Sequence, residues 1–382
     1  MPTAPSAPGA YSPGFQLDPF PTLARLREEA PLNRVKHPEV GDAWLAIRYD
    51  LVKTLSADRR LVKPPNPLDG NSLNSPPPVH TRLRKLAQAS FTTQRIEALR
   101  GWSEQVTGQI LDDMAERGTV ELLGTLADPL PITVICRLLG VPYEEMEEVS
   151  HCARGFLTES EEVRDKAFGT ARAYVLRLVA HKRRNPGDDV TSALIDARDG
   201  QDRLDEDELV RMVMALLVNG SITTTTIIGT GTQLLLTHPD QRELLRRRPG
   251  LVRGAVEEIL RLEAPISALT WLATEEIAVE GFVIGAGEYV MTCVQGANRD
   301  PSWFDRPDEF DITRSPNPHL TFSHGIHHCL GAPLARMEAQ VVLGGLVRRF
   351  PDIRPAGEAV WRDGHMVRGL THLPVAVGAS SV

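Results

Sequence analysis

Between Leu204 and Pro239 the sequence holds one unbroken helical pattern. It opens on Asp205-Glu206-Asp207-Glu208 and closes at Thr237, just before His238-Pro239. About 34 residues at a rise of 1.5 Å each predict a helix of ~50 Å. A helix that long, and apolar through its middle, must cross a whole domain, so the rest of the fold is organised around it. Uninterrupted apolar runs such as Met212 to Val218 fall far short of the ~20 residues that span a bilayer, so no membrane segment is expected.

Most of the remaining chain also reads as helix. Apolar spacing predicts helices over Thr22–Glu29, in two stretches between His80 and Gly118 broken near Phe91, over Val120–Leu139, and over Ala332–Phe350. Basic residues followed by breakers, His181-Lys182-Arg183-Arg184-Asn185-Pro186, end another. Short β-like pieces occupy Ala43–Arg48 and Leu269–Val294, with Gly281, Gly285 and Gly287 as turns. Lys63–Pro78, rich in Pro and Asn, is a long loop. The expected class is mainly α with a minor β region. Length alone allows two or three domains, but no repeat or linker-like break divides the chain, so 1–382 reads as one domain. Residues 1–15, rich in Pro, Ser, Ala and Gly, read as a flexible leader without the basic n-region and apolar core of a signal peptide. A cytoplasmic location is expected.

Composition narrows the function by exclusion. With 42 Lys and Arg against 50 Asp and Glu the net charge is −8, which argues against nucleic acid as the main partner. Four dispersed cysteines, Cys136, Cys152, Cys293 and Cys329, rule out a disulfide scaffold and form no zinc-type cluster.

One cysteine has a special setting. The segment Phe322-Ser323-His324-Gly325-Ile326-His327-His328-Cys329-Leu330-Gly331 delivers it to the start of the helix that opens near Ala332, where Pro333 suits the first turn. A thiolate there faces the positive end of that helix and is poised as an anionic metal ligand or a nucleophile. This loop resembles the haem-binding signature of the cytochrome P450 family, with Phe322, Gly325, His327, Cys329 and Gly331 matching, followed by Leu334-Ala335-Arg336. Ser323 replaces the usual first glycine. The resemblance implies the cytochrome P450 fold, with haem b between the long distal helix and the cysteine loop and Cys329 as the proximal thiolate on iron. Such a ligand pushes electron density toward the metal.

Other segments carry the same resemblance in the expected order. Glu258 and Arg261 stand at i,i+3 on one helix face, which by itself is compatible with a routine surface ion pair. In the family this spacing is a structural motif whose third member here is Arg314; Asn298-Arg299-Asp300-Pro301 is also family-like. His80 and Arg84 share a helix face, and by resemblance they hold the haem propionates together with His327. Before Ala273 the family often has a further propionate-binding Arg. Here Trp271 takes that place, with one N–H donor and no charge.

The middle of the long helix resembles the oxygen-activating segment of the family at Gly220 and Thr223, with Ser221 between them. A glycine there costs about 1 kcal/mol relative to alanine, and close approach to a flat cofactor is one reason for it. Asn219 and Ile222 depart from the family pattern, and Ile222 stands where the family has an acid. Ile222 carries no exchangeable proton, so proton delivery would pass through Thr223, Ser221, water or the substrate. Mid-helix hydroxyls also bond back to i−4 carbonyls, which is the plainer role for the threonine run.

The implied activity is that of a haem-thiolate monooxygenase. It would take O₂, and electrons from NAD(P)H through a ferredoxin and its reductase, to hydroxylate or epoxidise a small organic molecule of secondary metabolism. Two alternatives stand beside it: oxidative coupling, desaturation, ring formation or peroxide-driven oxidation, motivated by Ile222, and a haem gas sensor. Substrate contacts are expected from Lys63–Pro78, Glu148–Glu162, Leu216–Asn219 and Ile266–Trp271. Arg82, Lys85 and Arg336 are candidate basic contacts for an acidic ferredoxin.

Overall fold

The computed structural model of the chain describes residues 7, 9–12, 14–64, 72–155, 161–199, 202–364 and 367–378. The elements that matter for the site are, in chain order, α1 (Phe20–Glu29), β1 (Leu32–His37), β2 (Gly41–Ala46), α2 (Tyr49–Ala57), β3 (Leu61–Val62), α3 (Val79–Ser90), α4 (Arg100–Arg117) and α5 (Pro129–Leu139). They continue with α6 (Glu206–Thr237), α7 (Val252–Leu262), β4 (Ala268–Ala273), β5 (Tyr289–Cys293) and α8 (Ala332–Arg349). Helices hold most of the residues, and the strands are short, none longer than six residues.

Two compact units can be described separately. The first comprises the described residues up to Pro64, Thr230–Cys329 and Ala359–His372. Its centre is a five-stranded sheet in the order β1-β2-β5-β4-β3, antiparallel except where β5 runs parallel to β2. Trp44, Tyr49, Leu55, Trp271, Val290 and Phe304 fill the space beneath it. Burying side chains of this size is the main source of its stability. β3 pairs antiparallel with β4, Leu61 opposite Ala273 and Val62 opposite Leu272. The described part of the expected flexible leader is packed instead. Ala7, Ala10, Tyr11 and Phe15 are buried against Leu26, Leu45, Ile47 and Met291, and the Ala7 N–H donates to the Arg34 carbonyl at 2.8 Å. Two aromatic rings outweigh the Pro/Gly/Ala character of that segment.

The second unit comprises the described residues of 65–229, 330–358 and 373–382. In it α8 lies along α4, where a Cβ on Gly345 would stand 3.4 Å from Leu111 Cδ1. Val120–Leu139, expected as one interior helix, is divided. Thr119–Glu121 pairs with Pro374–Ala376, Leu123–Ala127 forms a π turn, and α5 restarts at Pro129. Pro129 has no N–H for a continuing ladder but suits a first turn, so the helix has to begin there.

The long helix α6 runs for 32 residues. By length and composition alone it passes as a membrane span. Yet Leu209, Val210, Val213, Leu217, Ile227, Ile228 and Leu235 are buried within the protein, as a core helix requires.

Candidate functional site

The loop before Cys329 is fixed by backbone geometry. Gly325 has φ +77, and a Cβ there would sit 3.0 Å from Ala57 Cα and 3.1 Å from the Ser56 carbonyl oxygen on α2, so only glycine fits. The Cys329 N–H donates to the Phe322 carbonyl at 2.9 Å and the His328 N–H to the Gly325 carbonyl at 3.1 Å, closing the turn. Ser323, in the place of the family's first glycine, also has positive φ, +65, a conformation that favours glycine.

The cysteines separate cleanly. Cys136 and Cys293 are buried, and burial pushes their thiols up to about 12 and about 11 respectively, so both stay protonated and inert. Of the three cysteines whose side chains are described, Cys329 is the exposed one.

Behind the loop stands a buried ion network. Arg261 Nε and Nη2 each donate to Glu258 at 2.8 Å, and both side chains are 0% exposed, so this is no surface pair. Arg314 Nε donates to Glu258 Oε1 at 3.0 Å, and the Asn317 amide adds a bond to Oε2 at 3.0 Å. Arg261 also binds the carbonyls of Asn298 and Glu309. Asn298 in turn accepts the Leu320 N–H at 2.8 Å and donates to Thr321 Oγ1, which donates to the Leu260 carbonyl at 2.6 Å. The chain entering the cysteine loop is thereby tied to α7. The Asn298–Thr321 link escaped the sequence reading, because no local pattern joins positions that far apart.

Beside the loop, the Trp271 ring lies 5.6 Å from the His327 ring. Its indole N–H donates to Thr292 Oγ1 at 2.9 Å inside the sheet. The single donor of Trp271 is thus held by an interior hydroxyl.

In the second unit His80 and Arg84 share a face of α3. His80 is buried, and burial, followed by the nearby Arg84 charge, lowers its pKa. Arg82, expected on a solvated basic face, pairs instead with the buried Glu208 of α6.

Gly220, Ser221 and Thr223 lie together at the middle of α6. A Cβ on Gly220 would stand 2.9 Å from Ile135 Cδ1, so packing against α5 explains this glycine without a cofactor. The Thr223 hydroxyl donates to the Asn219 carbonyl at 3.0 Å, Thr224 and Thr226 bond back similarly, and Ser221 donates to the Leu217 carbonyl at 3.2 Å. Thr225 differs, reaching the Ala127 carbonyl at 3.0 Å. On α8, Gly331 precedes the first turn and the Ala335 N–H donates to its carbonyl. Of the expected substrate segments, 65–71 and 156–160 lie outside the described residues.

An exposed thiol on a loop that only glycine can cradle, backed by a buried Glu–Arg–Arg network, defines a haem-thiolate protein. The chain belongs to the cytochrome P450 family, whose model matches residues 250–360. It is 40% identical to 6-deoxyerythronolide B hydroxylase of Saccharopolyspora erythraea, over 97% of this chain and 98% of that one. It is 40% identical to the cytochrome P450 monooxygenase PikC of Streptomyces venezuelae, over 96% and 93%. Among solved structures, the Bacillus subtilis bacillaene polyketide synthase P450 PksS superposes with a TM-score of 0.91 at 35% identity, covering 96% of this chain and 98% of that one. The protein is thus a P450 monooxygenase that carries protoporphyrin IX haem with a cysteine ligand. The exposed Cys329 thiol, on a loop cradled by Gly325, fits the cysteine ligand that such a haem requires.

Proposed function

We propose that the whole chain forms one cytoplasmic haem domain with Cys329 as the iron ligand, and that it hydroxylates or epoxidises a polyketide-like small molecule. The accessible Cys329 thiol on the Gly325-cradled loop carries this reading. The substrate class is supported by relatives named for such chemistry, among them a mycinamicin IV hydroxylase/epoxidase. Haem supplies the iron at which O₂ is activated. Cys329 would contribute the anionic ligand, with Phe322, Gly325, Gly331 and Ala335 shaping its loop and helix start, and by the family resemblance His80, Arg84 and His327 would hold the propionate charges. Thr223 holds a proton on the hydroxyl now given to the Asn219 carbonyl, and Ser221 holds one on the hydroxyl given to the Leu217 carbonyl; Gly220 sets the local packing. Two electrons come from NAD(P)H through a ferredoxin and its reductase.

Turnover under ¹⁸O₂ with a macrolide-type substrate panel tests the reading. Label in the product is expected. An oxidised product without label favours the second reading, coupling, desaturation or ring formation, which Ile222 in the acid position motivates.

A further inference from the structure

We infer that Lys63 supplies, from the strand position opposite Trp271, the positive charge toward a haem propionate that Trp271 itself does not provide. This rests on haem being seated on the Cys329 loop.

Four observations converge on it. The β3–β4 register pairs Leu61 with Ala273 and Val62 with Leu272, so the next antiparallel step places Lys63 opposite Trp271. Residues directly opposite in such a ladder share a face. The Lys63 ammonium does lie over the indole, 3.7 Å from the ring centroid. The same ring stands 5.6 Å from His327, two residues before Cys329, so Trp271 bridges the ammonium to the cysteine loop. The indole N–H points away into the sheet to Thr292, leaving the ring as a platform and not as a donor.

The ammonium has an aromatic face but no counter-charge. Among the described residues no carboxylate pairs with Lys63, and burial pulls its pKa down to about 8 with no charge partner acting on it. A half-buried cation without an anion is a place where a carboxylate is bound favourably, because the incoming charge restores what desolvation took away. With haem seated on the Cys329 loop, a propionate would be the carboxylate brought beside His327. Lysine suits this task as a point charge on a flexible stem, while an arginine at position 271 would act as a fixed fork. The plainer role is packing, with the lysine stem merely covering Trp271.

Haem transfer from the ferric holoenzyme to apomyoglobin separates the two. Lys63→Met keeps the stem and removes the charge. It should release haem roughly tenfold faster, the scale of one charge-assisted hydrogen bond, while Lys63→Arg stays near wild type. Adding Trp271→Arg to Lys63→Met should restore slow release. Equal release from Lys63→Met and wild type overturns the proposal, as does a fall in the melting temperature of the haem-free variant large enough to explain the loss. If Trp271→Arg does not fold, the Met-against-Arg contrast at position 63 decides alone. The thiolate-shifted Soret band of the reduced CO complex should persist in every Lys63 variant. Its disappearance in Cys329→Ser tests the cofactor reading separately.

Discussion

The loop that carries Cys329 and the middle of α6 are held in place by opposite means. Around the loop, local backbone bonds close the turn, and distant segments fix its place: α2 fills the space beside Gly325, and α7 with Arg314 anchors the entering chain. In the middle of α6 the polar groups turn inward on their own helix, Thr223, Thr224 and Thr226 each bonding four residues back. The first arrangement fixes one thiol at one point. The second leaves hydroxyls that can exchange partners without disturbing the fold. A thiolate ligand has to stay in place, and the constraints on the loop do that.

The largest expected effect is at Glu258. Glu258→Ala leaves Arg261 and Arg314 buried without their carboxylate and should cost about 3–5 kcal/mol. That is a large part of the 5–15 kcal/mol a domain has. The chain provides its own control, because Glu243 and Arg246 have the same i,i+3 spacing in water. There Arg246, then Arg247, hold the Glu243 carboxyl down at about 2, but solvent can replace either partner. Denaturant midpoints of Glu258→Ala and Glu243→Ala should differ widely; matching midpoints would mean the buried network does not brace the loop.

Next in size is Gly325→Ala. Positive φ costs roughly 1–2 kcal/mol for a residue with a Cβ. The added carbon meets backbone of α2 at 3.0 Å, which has no soft side chain to yield. Together these should cost about 3 kcal/mol and lower haem content, checked by chemical denaturation and the pyridine haemochrome. Gly220→Ala is the contrasting case on α6, since its Cβ would meet side-chain atoms of Ile135 rather than backbone. A loss at Gly220 as large as at Gly325 would remove the distinction between the two regions.

These contrasts also mark what was legible beforehand. Periodicity fixed the existence of α6, and the order of motif residues pointed to Cys329, because both are local. Spacing alone made Glu258–Arg261 indistinguishable from Glu243–Arg246, since burial belongs to the tertiary structure. Tyr11 and Phe15 read as leader because their partners, Leu45 and Met291, come from strands far along the chain. The reason for Gly220 was sought in a cofactor, while its nearest neighbour is Ile135 of α5. By sequence Lys63 only opens a Pro- and Asn-rich loop, because its place depends on a strand register that no local pattern encodes.

The smallest effect on stability should come from Thr223, and it bears most on chemistry. Thr223→Val removes a hydroxyl whose acceptor, the Asn219 carbonyl, keeps its place in the helix ladder, so stability should change by only a few tenths of a kcal/mol. Thr225→Val removes a bond to the Ala127 carbonyl outside the helix and should cost about 1 kcal/mol. Catalysis should reverse that order. If the adaptable hydroxyl delivers protons, Thr223→Val consumes NAD(P)H while releasing more hydrogen peroxide per product, and Thr225→Val keeps wild-type coupling. Ile222, lacking an exchangeable proton, cannot take over. Measuring peroxide against product for both variants checks this; tight coupling in Thr223→Val would move proton delivery to Ser221 or to the substrate's own hydroxyls.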